Sequence, residues 1–166
     1  MKDLQGFYNQ IVDWNMKSGQ RFQEYGTAEW DKALSLQSKL LVEEATETKD
    51  AMEYSDYVEL LDGAVDTFVI LSYMFAQLEA AGFDVEGALQ AVIDNNDTKV
   101  FNSYYQAVEA KEKLEERDDK EYYVETAVHN GLPFYTLRRE DGKIIKPVDF
   151  VAVELEEYVP NERQER

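Results

Sequence analysis

Cysteine is absent and histidine occurs once, at His129. No disulfide framework and no thiolate chemistry are open to this chain. With nitrogen and sulfur ligands this scarce, only oxygen donors are plentiful, and they suit hard cations such as Mg²⁺ or Mn²⁺. Basic residues are also few, 17 Lys and Arg against 35 Asp and Glu, for a formal net charge of −18. Such a chain repels nucleic acid polymers and anionic membranes at long range. It can still hold a small polyphosphate if divalent cations come between them. Long apolar runs are missing too. The stretch from Val65 to Leu78 is interrupted by Asp66, Thr67, Ser72 and Gln77, which makes it too short and too polar to span a bilayer. The first residues, Met1-Lys2-Asp3-Leu4-Gln5, lack the apolar core of a secretory signal. A cytoplasmic protein is the resulting expectation.

What is present is a globular composition. Of 166 residues, 44% are apolar and 13% aromatic, enough for one domain with a real core. Apolar positions at Phe7, Ile11, Trp14 and Met16 predict a helix over 4–21. Residues 22–31 read as a connection, with Thr27 or Asp31 as the next N-cap. Residues 33–53 predict a second helix and 57–80 a third, ending near Gly82. Asp84 is placed to cap a short helix from Val85 to Ile93, and 97–118 reads as a last, charge-laced helix. After Asp119 the character changes. Glu121 to Ala127 and Pro133 to Arg138 are rich in Tyr, Val, Phe and Thr, Ile144 to Leu155 alternates loosely, and Asp141-Gly142 between such runs is a hairpin signal. The expected fold is all-α, a bundle of four or five helices (residues 1–118) with a small C-terminal β-hairpin appendage and tail (residues 119–166) in the same domain. The polar tail from Pro160 to Arg166 is expected to fray. No internal repeat or low-complexity linker is visible.

Acids are so common that spacing alone says little. With 35 acids in 166 residues, chance gives about seven acid-x-x-acid pairs. The useful question is which acids lie on an apolar helix face. Leu40, Glu44, Glu47 and Ala51 follow one stripe of a 3.6-residue helix. Val58, Leu61, Asp62, Val65, Asp66, Val69 and Ile70 follow another. Glu44, Glu47, Asp62 and Asp66 are therefore expected to point into a helix–helix interface, where unpaired charge is costly and carboxylates raise one another's pKa. Residues 43–66 hold nine acids and one base, Lys49, so internal ion pairs cannot neutralise them. Divalent cations can. The plainer explanation is a solvated acidic face, and a modest error in helical phase would produce it.

At these residues the sequence resembles the MazG-like group of all-α nucleoside triphosphate pyrophosphohydrolases, which includes phosphoribosyl-ATP pyrophosphohydrolase. Leu40-Leu41-Val42-Glu43-Glu44-Ala45-Thr46-Glu47 is similar to the group's E-x-x-E helix. Leu60-Leu61-Asp62-Gly63-Ala64-Val65-Asp66 is similar to its second acidic segment in a D-x-x-x-D variant. Gly63 stands where the commoner pattern has Glu, so Asp62 or Glu59 would supply the third ligand. Asn95-Asn96-Asp97-Thr98-Lys99 resembles the S-N-x-x-K segment, and Asp141-Gly142-Lys143-Ile144-Ile145-Lys146-Pro147 a G-K-hydrophobic-hydrophobic-K-P element of phage-type members. The core of the resemblance covers residues 35–100.

The resemblance implies a hydrolase acting on a nucleoside triphosphate. It implies Glu44, Glu47, Asp62 and Asp66 as ligands of Mg²⁺ (or Mn²⁺), and Glu43 or Glu47 as the carboxylate that orients or deprotonates the attacking water. Lys99 would offset charge on the leaving pyrophosphate, and Asn96 would bond phosphate or ribose. Lys39 could reach a phosphate or simply pair with Glu43 one turn away. Trp14 could stack on a base and Asn15 bond to it, although a tryptophan is more often core. His129 sits in an expected turn and takes no catalytic role. Tyr104, Tyr105, Tyr122 and Tyr123 read as packing. Two alternatives stay open: a phosphoribosyl-ATP pyrophosphohydrolase, or a catalytically silent regulatory or binding protein on the same scaffold. A homodimer or homotetramer is expected, because so few helices cannot cover all their apolar faces.

Overall fold

Asp3 starts the first helix by accepting a hydrogen bond from the Gly6 amide at 2.7 Å, as an N-cap should. The computed structural model describes residues 3–160. The expected frayed tail therefore lies, from Asn161 onward, outside the described residues. Five helices are present among them: α1 (Leu4–Lys17), α2 (Ala28–Tyr54), α3 (Tyr57–Ala80), α4 (Val85–Asp97) and α5 (Tyr104–Asp118). Three strands join them: β1 (Val100–Phe101), β2 (Tyr123–His129) and β3 (Leu132–Arg138), with a 3₁₀ turn at Glu156–Tyr158. None of these helices is long and apolar enough to cross a membrane. The chain forms two compact units, Met1–Val85 with Tyr158–Arg166, and Glu86–Glu157.

In the first unit α2 and α3 form an antiparallel helical hairpin, with α1 against α3. Thr27, one of the two caps the sequence offered, accepts from the Trp30 amide at 3.2 Å. Glu29 and Asp31 in that first turn complement the helix dipole. Ser55 stops α2 in the left-handed region (φ 58°). Asp56 then caps α3 by accepting from the Val58 and Glu59 amides at 3.2 Å each. The helices come close at Gly63, where a Cβ would lie 2.5 Å from Thr48 Oγ1 and 3.4 Å from the Glu44 carbonyl oxygen. Only glycine permits that approach. At one end of the hairpin Trp30 stacks on Phe83 (6.0 Å between centroids), with Tyr25 edge-on to both. Gln77 is buried there and bonds the backbone of the preceding connection, accepting from Gln23 N and donating to Arg21 O.

The α3 stripe differs from expectation. Val58, Leu61 and Val65 are exposed, while Gly63, Ser72, Tyr73, Ala76 and Gln77 are the buried residues. The face toward α2 is chosen by the small residue that lets the backbones meet, not by the most apolar positions.

The second unit overturns the expected all-α bundle with its C-terminal β-hairpin appendage. Its strands form one three-stranded antiparallel sheet in the order β1-β3-β2. Val100 pairs with Thr136 and Phe101 with Tyr135, so the segment ahead of α5 supplies an edge strand inside what read as a helix over 97–118. The fold is mostly helical with a sheet, not all-α. The β2–β3 turn is Asn130-Gly131, both at positive φ (52° and 78°), as a two-residue turn joining twisted strands requires. Asp141-Gly142 makes a tight turn, closed by Gly142 N to Arg139 O at 2.8 Å. Beyond it, among the described residues, a single isolated bridge forms, Arg138 to Ile144. The ladder stops because the next positions of β3, Thr136 and Tyr135, are already paired with β1 on one side and β2 on the other. α5 covers the sheet through Ala107 and Leu114, which pack with Tyr122 and Leu137.

Candidate functional site

The acidic residues of interest sit on the α2–α3 hairpin. α2 carries Lys39, Glu43, Glu44 and Glu47, and α3 carries Asp62 and Asp66. Because the hairpin is antiparallel and Gly63 meets the backbone at Glu44 and Thr48, the second turns of α3 lie beside the middle of α2. Glu44 is half-buried, whereas Glu43, Glu47, Asp62 and Asp66 are exposed. The Glu44 carboxyl is held above its ordinary range, first by partial desolvation and then by Asp66, Glu47, Glu43 and Asp62 in that order. All four expected metal-ligand acids thus share one electrostatic neighbourhood, and Asp62, not Glu59, is among the charges acting on Glu44. The sole base of this stretch does not relieve them. Lys49 lies 2.8 Å from Glu53 and 3.4 Å from Asp50.

Glu44 and Asp66 also line a cavity of about 300 Å³, with Trp14, Asn15, Gln37 and Tyr73 among its other residues. Trp14 is 60% exposed and so is not a core residue. Asn15 is buried and donates its Nδ2 to the Ile11 carbonyl at 3.0 Å. The hairpin acids and the two α1 residues expected at a base therefore meet within a single unit. Gln37 and Tyr73 were missed, although spacing could have found them. They lie seven residues before Glu44 and seven after Asp66, on the same helical stripes.

Other expected residues are not gathered here. Lys39 is exposed, outside the cavity and without an ion pair to Glu43 among the described residues. Asn96 and Lys99 belong to the second unit, at and just beyond the end of α4. Lys99 Nζ donates to Asn96 Oδ1 at 2.5 Å. It also lies 5.3 Å from the centre of the Phe150 ring, over which Lys146 lies at 4.6 Å. His129 is exposed at the β2–β3 turn, next to the Asn130 amide. Tyr104 packs against Tyr105 and Tyr135, and Tyr122 is buried with its hydroxyl on Asp118.

No family model, curated protein or solved structure matches the chain. What the site can do must come from its own chemistry. Among the described residues, no three acid or histidine side chains converge closely enough to close around a metal ion as they stand. The donor set nevertheless fits a hard cation. It consists of carboxylate oxygens, a half-buried one at its centre, with a charge excess that nearby bases do not offset. Beside it lies a mixed apolar and polar cavity with an exposed indole at its edge.

Proposed function

We propose that this protein is a metal-dependent nucleoside triphosphate pyrophosphohydrolase, converting a (d)NTP to the monophosphate and pyrophosphate. The observation that carries the proposal is Glu44. Its carboxyl is raised first by partial desolvation and then by four neighbouring acids, and it lines the cavity that also holds Trp14 and Asn15. An uncompensated carboxylate cluster beside a cavity is a cost to folding that a cation-bound polyphosphate removes.

Glu44, Glu47, Asp62 and Asp66 would hold Mg²⁺ or Mn²⁺, which when bound supplies charge stabilisation at the α-phosphate and a more acidic water. Glu43 or Glu47 orients the attacking water and takes its proton. The water oxygen bonds to the α-phosphorus, and the bond from that phosphorus to the bridging oxygen breaks with pyrophosphate leaving. Trp14 offers a flat apolar face to the base and Asn15 a polar edge. Asn96 and Lys99 are assigned to phosphate contacts by the resemblance of their segment, and Lys39 is left as a surface residue.

The deciding experiment is a screen of all common NTPs and dNTPs, with phosphoribosyl-ATP, in Mg²⁺ and in Mn²⁺, with products resolved. Monophosphate and pyrophosphate are expected. Diphosphate and phosphate would contradict cleavage between the α- and β-phosphates. No release from any nucleotide with either ion would leave a helical binding protein instead.

A further inference from the structure

Two polar side chains in the cavity have no role in the chemistry above. Gln37, from α2, is 7% exposed, and Tyr73, from α3, is 2% exposed. The Tyr73 hydroxyl is fully shielded and finds no hydrogen-bond partner among the described residues, and the Gln37 amide lines the same cavity from the facing helix. Buried polar groups are nearly always satisfied, and an orphan calls for an explanation. Packing does not provide one. Tyr73 stacks on Phe22 with 6.0 Å between centroids, and a phenylalanine would keep that contact without an orphaned hydroxyl. A leucine or methionine would fill the place of Gln37 without burying an amide.

The chemistry of the cavity narrows what could satisfy them. An amide and a phenol each donate and accept. Burial pushes the Tyr73 ionisation upward, so the phenol stays neutral. Among the described residues, the charged ones lining the cavity are the acids Glu44 and Asp66, with Arg21 outside the lining but near enough to act on the Tyr73 phenol, so a phosphate inside it would lie against carboxylates. Leu36, Leu40, Val69 and Ile70 supply apolar lining, and the Trp14 and Tyr73 rings supply flat faces. The complement is a neutral, planar heterocycle whose edge carries both donors and acceptors.

We propose that Gln37 and Tyr73 are specificity-determining residues that hydrogen-bond the edge of a nucleobase inserted into this cavity, with the phosphates directed toward Glu44 and Asp66. This rests on the nucleotide reading above and adds the residues that choose the base. The test uses Gln37→Leu and Tyr73→Phe, which remove polarity while keeping most of the volume. Three quantities are measured: kcat/KM over the nucleotide panel, inhibition by inorganic tripolyphosphate with Mg²⁺, and thermal stability. A loss of tenfold or more in kcat/KM for the preferred nucleotide is expected, with narrowed discrimination among bases. Tripolyphosphate, which has no base, should inhibit the variants as it does the parent. The Tm of Tyr73→Phe should stay level or rise, because an unsatisfied group has been removed. Unchanged selectivity, an equal loss of tripolyphosphate affinity, or a lower Tm for Tyr73→Phe would overturn the proposal. If the parent hydrolyses no nucleotide, the hydrolase reading fails on its own, and NMR titration with the free nucleosides decides this one. Nucleoside binding that weakens in Tyr73→Phe sustains it, and no binding by any nucleoside ends it.

Discussion

Gly63 shows how one residue sets the position of the acids around it. Its neighbour across the hairpin is the Thr48 hydroxyl, a buried group with no partner among the described residues. Alanine in a helix interior is usually favoured over glycine, by roughly 0.5–1 kcal/mol. Here the added methyl would meet Thr48 Oγ1 at 2.5 Å, and overpacking of this kind costs about 1–3 kcal/mol. The clash outweighs the propensity gain, so Gly63→Ala should lower stability in chemical denaturation. Adding Thr48→Ala should restore most of it, since that change removes both the obstacle and an unsatisfied hydroxyl. A Gly63→Ala protein as stable as the parent would mean that the helices are not in contact at this point.

The carboxylates give a second residue-scale expectation. If Glu44, Glu47 and Asp66 serve as proposed, Glu44→Gln, Glu47→Gln or Asp66→Asn should each lower turnover a hundredfold or more, about 3 kcal/mol of transition-state stabilisation. Stability should move the other way. The folded-state pKa of Glu44 lies above its ordinary 4.5, so its ionised form is disfavoured by folding. That penalty is complete above the folded pKa, fades as pH falls through it, and is gone below the unfolded value. Lowering the pH through this window should therefore stabilise the metal-free parent relative to Glu44→Gln. Asp118 and Asp141 act with the opposite sign. Arg117 and Arg139, respectively, are the main cause holding them down to about 2, so they stabilise above 3.8 and lose that effect as pH falls toward 2. The difference between parent and Glu44→Gln melting curves isolates the Glu44 contribution from theirs. Added Mg²⁺ should raise the Tm of the parent more than that of the variant.

At the scale of elements, the β2–β3 hairpin makes the clearest case. Asn130-Gly131 is held at φ 52° and 78°, and left-handed conformations cost roughly 1–2 kcal/mol in residues other than glycine, with asparagine among the exceptions. Gly131→Val should destabilise the second unit by about that amount, seen as faster amide exchange across β2 and β3 than across α2 and α3. Equal effects on both units would show that they unfold together. The same region shows where sequence reasoning succeeds and where it stops. Long periodic segments announced α1, α2 and α3, and Thr27 and Asp84 lie just ahead of helices where they were expected. A two-residue strand such as β1 has too little sequence to carry a period, so Val100 and Phe101 were absorbed into a helix. Asp141-Gly142 does turn, but a turn makes a hairpin only if the strand it returns to has a free edge, and β1 already occupies that edge of β3. Glu44 was legible because a charge on an apolar stripe is conspicuous, whereas the stripe that carries Asp66 is exposed over Val58, Leu61 and Val65. Gln37 and Tyr73 share those stripes by spacing, but what singles them out, a shielded and unpartnered Tyr73 hydroxyl and a common cavity, only the packed structure reveals.

For the molecule as a whole, the open question is what covers the apolar surface of α1 and α3. Phe7, Ile11, Trp14, Val65, Phe68 and Val69 line a groove of about 870 Å³. Phe7 is 48% exposed, Val65 50%, Leu61 66% and Val58 81%. Large apolar residues clustered in this way are uncommon on a monomer and usually mark a contact surface. A second copy of this chain is the simplest occupant, because a twofold axis lets the same stripe cover itself. Like charge opposes that association. At −18 per chain, two copies repel at long range, and salt screens that repulsion with a Debye length of about 8 Å at physiological ionic strength. The prediction is therefore specific in sign. Light scattering at micromolar concentration should give a dimer or a tetramer, with association strengthened by added salt and by Mg²⁺. Leu61→Asp and Val65→Asp, alone or together, should shift the protein toward the monomer mass of 19.3 kDa while leaving its helical content intact. A parent that stays monomeric from low to high salt, or a Val65→Asp variant that stays fully associated, would remove this face from any subunit contact.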